Sequence, residues 1–363
     1  MEDNTTLSLD EEIYHIALWM PNWIGDVVLS LPALQSLRIR YPDARITAIV
    51  RPPSDELLSG CPAVDSVIQF PRGKGDGYIK QCNYARGLRK YHFDLGIIFP
   101  NSLHSAMMMK LAGARFRVGY STDARGIFLT HALPVTKKEK KTSYRVNYFH
   151  NILSPLNPEP VADHYDPMWK QGGEIELGET LFKVGVDKKD FLITLHPGTS
   201  KPERAWHAER FGILCQKLIK EHRMKIVLLG TQKEMPLLTR IREFCPAGMT
   251  TIVPELNLQE IAQLMQVSRL FIGNDSGMMH LASLAGTPVV GIFGPGHSET
   301  TGPFLPSEKH EIVTRNYPCS PCRQRFFKEC KPSSHRKPFC LEDISVKDVS
   351  EAVERLVKRL QLR

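Results

Sequence analysis

The sequence predicts an α/β protein of two Rossmann-like, doubly wound domains facing a central cleft. Three observations predict it. Short apolar runs alternate with segments of helical period along both halves of the 363-residue chain, the pattern of βα units and parallel sheets. Polar, glycine-bearing turns follow the apolar runs, and ligands of open α/β sheets bind at that edge. A stretch rich in proline and glycine, 154–178, separates the halves, and the length suits two domains. The organisation read from this is a disordered polar lead-in at 1–12, an N-terminal domain at 13–160, a linker at 161–178, a C-terminal domain at 179–345 and a terminal helix at 346–363.

Taken in order, Ile13–Met20 (IYHIALWM) reads as a strand and Pro21–Asp26 as a turn. Val27–Arg40 carries apolar residues at Val27, Leu31, Leu34 and Leu37, a helical period. Strands follow at Ile46–Val50 and Val67–Phe70, with Pro52-Pro53 as a break and Asp55–Ser59 as a short helix. Gly73–Gly77 (GKGDG) reads as a flexible loop, Tyr78–Lys90 as a helix, Phe93–Phe99 as a buried strand and Ser102–Ala112 as a helix. Val118–Pro134 has no clear period, and Thr142–Leu153 reads as a helix.

The second half repeats the alternation. Phe191–Leu195 reads as a strand, His196–Arg204 as a long polar loop and Ala208–Glu221 as a helix. Lys225–Leu229 is a strand, Glu234–Phe244 a helix, Thr251–Val253 a strand and Leu258–Met265 a helix. Leu270–Ile272 ends a buried strand before the turn Gly273–Gly277. Met278–Ala285 is a short helix stopped by Gly286 and Pro288, and Val289–Phe293 is a further strand. In the tail, Val346, Val349, Val353 and Leu356 share one helical face.

Composition narrows the class. At 42% apolar and 24% charged the chain is ordinary for a water-soluble globular protein. No apolar run reaches a membrane span of about 18 residues, and the acidic start is unlike a signal peptide. Eight cysteines without an export signal point to the reducing cytoplasm. The net charge of +8 lies partly in the runs Lys137–Lys141 and Arg323–Lys337. Such runs are either solvated faces or attract an anionic substrate or membrane leaflet. They do not form one long tail, so a nucleic-acid partner is not expected.

The fingerprints of dinucleotide dehydrogenases, P-loop NTPases, zincins and serine hydrolases are missing from the turns where they would sit. The informative groups are four other turns. In Asn22-Trp23-Ile24-Gly25-Asp26, Gly25 permits close approach of a ligand. Asp26 is either a helix cap or a general base. In the loop from His196 to Trp206, Thr199, Lys201 and Arg204 suit a diphosphate leaving group or form an exposed basic loop. Glu234, after Gly230, either accepts hydrogen bonds from a ribose or favours a helix start. In the last turn Asp275 precedes Ser276, which caps the helix by its side chain in this reading, leaving the Gly277 and Met278 N–H groups for phosphate. His280, one turn on, reads as a packing residue or a donor contact. Cys319, Cys322, Cys330 and Cys340 lie within 22 residues. Structural zinc fits the first pair, but the later spacings are irregular, so free or redox-active thiols are favoured.

Three motifs together go further. PNWIGDVVLSLPAL resembles the N-terminal motif of glycosyltransferase family 9, the ADP-heptose:lipopolysaccharide heptosyltransferases. NDSGMMHLASLAGTPVVGIFGP is similar to that family's C-terminal signature, and HPGTSKPERAWHAERF to its donor loop. The Asn-Trp-Ile-Gly-Asp form is nearest the heptosyltransferase II branch. The resemblance implies the GT-B architecture and a metal-independent inverting transfer, with no cofactor. It implies Asp26 as base, with Asn22, Trp23 and Gly25 on the acceptor side. It implies donor diphosphate on Ser276, Gly277 and Met278, ribose on Glu234 and adenine near Leu256 and Asn257. Arg204 stands where many members have Lys, and its planar fork is not interchangeable with an ammonium. The implied partners are a nucleotide sugar and an anionic lipopolysaccharide core at the inner face of the cytoplasmic membrane. The alternatives are another donor or acceptor within the family, or a non-catalytic nucleotide-sugar binder with a metal-bound cysteine tail.

Overall fold

The computed structural model describes residues 12–71, 77–160, 162, 164–165, 174–187, 190–222, 224–246, 248–320, 322 and 324–362. The lead-in apart from its last residue, most of the GKGDG loop and most of the expected linker lie outside the described residues. Contacts divide the chain into units of residues 1–162 and 163–363.

The first unit runs β1 (His15–Trp19), α1 (Ile24–Arg40), β2 (Arg45–Val50), α2 (Ser54–Ser59), β3 (Ser66–Gln69), α3 (Tyr78–Gly87), β4 (Leu95–Ile98), α4 (Leu103–Leu111), β5 (Phe116–Tyr120), β6 (His131–Leu133), α5 (Lys137–Thr142) and α6 (Arg145–His150). Its six strands are parallel in the order β3-β2-β1-β4-β5-β6. Strands covered by helices on both faces need apolar residues at successive positions, not alternate ones. Leu95–Ile98 (LGII) is accordingly buried at all four residues. The stretch without a clear period, 118–134, holds β5 and β6 joined by a 3-10 turn, Arg125–Phe128. Arg125 is fully buried there and donates Nε to the Tyr120 carbonyl at 2.5 Å, so a charged side chain masked a core element. The helix expected at 142–153 is instead α5, α6 and a 3-10 segment, Asn151–Leu156. The lysine run is α5 itself, which has no buried residue and is closed by a Thr136–Glu139 capping box.

The second unit runs α7 (Glu174–Val184), β7 (Leu192–His196), α8 (Ala208–His222), β8 (Lys225–Leu229), α9 (Met235–Arg242), β9 (Thr250–Val253), α10 (Leu258–Val267), β10 (Leu270–Asn274), α11 (Gly277–Leu284), β11 (Val289–Phe293), α12 (Ser298–Thr301), β12 (His310–Thr314), α13 (Phe339–Glu342) and α14 (Val346–Arg359). Its strands are also all parallel, in the order β9-β8-β7-β10-β11-β12. Both sheets therefore follow one topology, which reverses direction between β1 and β4 in one unit and between β7 and β10 in the other. Each reversal opens a crevice at the carboxyl ends of its two central strands. The edge strand β12 went unread because His310 and Glu311 break its apolar run. The apolar face of α14 (Val349, Ala352, Val353, Leu356) is buried in the core of this unit with Leu214 and Ile292. Among the described residues, no helix is long and apolar enough to cross a membrane.

Candidate active site

The first crevice is sparsely furnished. The chain leaves β1 at Trp19 and enters α1 at Ile24, with Trp23 in the N-cap position and 67% exposed. Asn22 is exposed and Gly25 half-buried beside them. Asp26 is the third residue of α1, and no side-chain cap bond forms. Asp26 is therefore not the N-cap residue, and its half-buried carboxylate forms no hydrogen bond with a described residue. A carboxylate in the first turn is still favoured by the helix dipole. Burial pushes its pKa above the usual carboxylate range, and the Arg145 guanidinium at the start of α6 pulls the other way. Arg145 lies over the Tyr148 ring at 4.9 Å, and α6 packs on α1. The sequence reading missed Arg145, and only its place just before a short amphipathic segment could have marked it.

The second crevice is a dense network. β7 ends at His196, whose ring is nearly buried, with Nε2 4.0 Å from Glu234 Oε1 and Nδ1 3.4 Å from Ser276 Oγ. Burial lowers the His196 pKa, with Glu234 opposing. Glu234 fulfils the helix-start reading. Its Oε2 accepts the Thr231 N–H and hydroxyl, each at 2.8 Å, which closes a capping box. Its Oε1 turns to Gly198, where a Cβ would collide with it. The loop thus requires glycine at this point for the carboxylate to approach the backbone.

Asn274, fully buried at the end of β10, ties this crevice together. Its Nδ2 donates to the Pro197 carbonyl at 2.7 Å, and its Oδ1 accepts the Trp206 N–H at 3.0 Å. A polar residue closing the apolar run LFIG was the available signal, and the sequence reading did not use it. Arg204 donates Nη2 to the Asp275 carbonyl at 3.0 Å and to its carboxylate. The Arg204 Nε is buried without a partner among the described residues. Burial raises the Asp275 pKa against Arg204 and His297. Ser276 does occupy the N-cap of α11, but its side chain makes no cap bond. This corrects the expected side-chain cap: Ser276 is extended (ψ 169°) and its hydroxyl faces His196 instead. The N–H groups of Gly277 and Met278 are left without intrahelical partners by helix geometry, whereas the Met279 N–H donates to the Ser276 carbonyl at 3.1 Å.

His280 is 5% exposed, and its Nδ1 has no hydrogen-bond partner among the described residues. Burial, then the Arg204 charge, lowers its pKa to about 4. It is buried, as the packing reading requires, but not satisfied. Thr199 donates to the Lys201 carbonyl at 2.5 Å, and the Lys201 ammonium lies 5.7 Å from the centroid of the Phe326 ring. Asn257 is the N-cap of α10: Oδ1 accepts the Glu260 N–H at 2.9 Å and Glu260 returns the bond to the Asn257 N–H. Leu256, half-buried, precedes it. The thiols of Cys319, Cys322, Cys330 and Cys340 are free. Among the described residues the group whose metal-ligating atoms gather within 4.8 Å is His207, His335 and Glu342.

Two parallel, doubly wound six-stranded sheets of one topology in a single chain are the GT-B architecture. The profile described as "Glycosyltransferase family 9 (heptosyltransferase)" matches residues 82–331, and the chain belongs to that family. It is 27% identical over 308 residues to lipooligosaccharide heptosyltransferase 2 of Haemophilus influenzae, covering 81% of this chain and 86% of the relative. It is 26% identical over 302 residues to lipopolysaccharide heptosyltransferase 2 of Escherichia coli, with the same coverage. The solved structure of E. coli ADP-heptose lps heptosyltransferase II shares the fold at a TM-score of 0.78 and 21% identity, covering 96% of this chain and 100% of that one.

Proposed function

We propose that the protein transfers L-glycero-D-manno-heptose from ADP-heptose to the inner core of lipopolysaccharide, as a heptosyltransferase II-like, metal-independent, inverting enzyme. The observation that carries the reading is the contrast between the two crevices. An unbonded carboxylate with a raised pKa stands at the β1/β4 reversal, and unpaired donors surround the start of α11 at the β7/β10 reversal. The first unit binds the acceptor beside Asn22, Trp23 and Gly25, and the second binds the donor. Asp26 takes the proton from the acceptor hydroxyl, whose oxygen forms a bond to the anomeric carbon as the bond from that carbon to the diphosphate oxygen breaks. ADP leaves with the electron pair.

Charge accumulates on the leaving diphosphate, and fixed donors aimed at it lower the barrier. The helix start at Ser276, Gly277 and Met278, Lys201 and the unpartnered Arg204 Nε supply them, a task that a divalent cation performs in other transferases. Glu234 Oε1 is placed to accept from a ribose, with Leu256 and Asn257 toward the base, Thr199 beside the diphosphate and Asp275 and His280 behind it. The acceptor is anionic and lipid-anchored, which fits the +8 charge and a peripheral position on the inner face of the cytoplasmic membrane. The test is a donor and acceptor screen that measures released nucleotide. ADP release from ADP-heptose only with a heptosylated Kdo–lipid A acceptor is expected. Release of UDP or GDP from other sugars at comparable rates, or indifference to the acceptor, would replace the donor or the acceptor assignment.

A further inference from the structure

The segment after β12 carries chemistry that the transfer reaction does not use. It lies against the loop leading out of β7: Lys337 Nζ donates to the Pro202 carbonyl at 2.7 Å, and Phe326 sits over Lys201. Where the two meet, three ligating side chains converge from three separate stretches. His207 stands between Trp206 and the start of α8, His335 in the basic run, and Glu342 at the end of α13. His207 Nε2 is 3.2 Å from Glu342 Oε2, and His335 Nδ1 is 3.1 Å from Glu342 Oε1. The two imidazole rings meet edge to face with centroids 5.3 Å apart.

The decisive atom is His207 Nε2. It is buried, it faces the carboxylate, and it makes no hydrogen bond. A buried ring nitrogen left unpaired at 3.2 Å from a carboxylate oxygen costs free energy unless something between them satisfies both. In the tautomer protonated on Nδ1, the His207 Nε2 lone pair and the Glu342 Oε2 lone pair converge as the ligand side of a cation site. We propose that His207, His335 and Glu342 bind a divalent transition-metal ion of the zinc class, which pins the cysteine-rich segment to the loop carrying Lys201 and Arg204.

Two imidazole nitrogens and one carboxylate oxygen are a borderline donor set that suits Zn²⁺ better than Mg²⁺ or Ca²⁺. The His335 side chain is largely exposed, which leaves room for water as a fourth ligand. Glu342 is already held: Arg210 Nη2 donates to Oε1 at 3.0 Å and the Ser333 hydroxyl to Oε2 at 2.7 Å. Hydrogen bonds of this kind orient metal-ligating carboxylates. The guanidinium also opposes a second cation, so the site binds more weakly than a closed thiolate site. The four nearby cysteines form no comparable group, since no three of their sulfurs gather within 4.8 Å.

The test uses the full chain stripped with a chelator, then titrated with Zn²⁺ by calorimetry and with Co²⁺ by visible spectroscopy. One ion per chain is expected. The Co²⁺ spectrum should lack strong near-ultraviolet thiolate charge transfer, and Zn²⁺ should raise the unfolding temperature. His335→Ala, at an exposed position, should fold and weaken binding by at least about tenfold, the loss seen even for partners of ligands. Cys319→Ser with Cys322→Ser should leave binding unchanged. Absence of stoichiometric binding, binding indifferent to His335→Ala, or a thiolate band lost in the cysteine variant would each overturn the assignment.

Discussion

The two crevices occupy equivalent places in two sheets of one topology, yet they are built in opposite ways. At the β1/β4 reversal a single carboxylate stands without a hydrogen bond to a described residue, next to an exposed tryptophan. At the β7/β10 reversal His196, Glu234, Asn274, Arg204 and Asp275 constrain one another. A group that must accept a proton is useful only if its lone pairs are free. Groups that must hold a developing anion are useful only if they do not reorganise when charge appears. The difference in connectivity is what the proposed division of labour requires, and the shared topology alone does not produce it.

The sharpest way to break the comparison is to remove the free carboxylate. Asp26→Asn should lower turnover by roughly 10²–10⁴-fold, the range for a positioned general base. ADP affinity, read by calorimetry, should stay within about twofold of wild type, because the proposed donor crevice belongs to the other unit. Near-normal turnover in this variant would remove Asp26 from the chemistry.

The opposite experiment loosens the constrained crevice. Asn274→Ala strands the Trp206 N–H and the Pro197 carbonyl, which among the described residues are tied through that amide alone. Each buried group left unpaired costs about 1–3 kcal/mol, so a loss of roughly 2–6 kcal/mol in denaturant unfolding is expected, with weaker ADP binding. If ADP binding and stability are both unchanged, the network is ornamental and the contrast fails.

How much of this could be read from the chain differs between the crevices for the same reason. The parallel α/β architecture was legible, because buried strands such as LGII and LFIG announce themselves by uninterrupted apolar runs. Strands broken by charge were not: β12 begins His310-Glu311, and the β5–β6 region surrounds the buried Arg125. Asp26 was visible as a residue in a turn, but whether its carboxylate bonds back to the backbone as a cap is a three-dimensional fact. At the second crevice the members lie as far apart as Pro197 and Asn274. Spacing cannot show that an asparagine bridges such a gap, nor that Ser276 turns to His196 rather than back to its own helix.

His280 tests the buried side of the second crevice through pH. Its folded pKa of about 4 lies below the ordinary value of 6.5, so between those limits the unfolded chain binds more protons than the folded one. Stability from this residue is therefore complete above about pH 6.5 and is lost as pH falls toward 4. The pKa difference corresponds to something of order 3 kcal/mol at the acid end. His280→Gln should flatten that part of the curve of unfolding free energy against pH, measured in urea between pH 7.5 and 4.5. Equal slopes in wild type and variant would mean that His280 titrates as an ordinary histidine.

The smallest expected effect sharpens the first crevice instead. Among the described residues Arg145 is the cation that lowers the Asp26 pKa against burial, and no ion pair joins the two. Removing it leaves the carboxylate less stabilised, so the pKa rises further and the base is protonated over a wider range. Arg145→Ala should move the acid limb of kcat/KM toward higher pH, and Arg145→Lys should return it most of the way. The two variants should not differ in ADP affinity. A limb that stays in place, or moves toward acid, would show that the proton-accepting group is not the one beside Arg145. The freedom of Asp26 would then be a property of its exposure and not of the reaction.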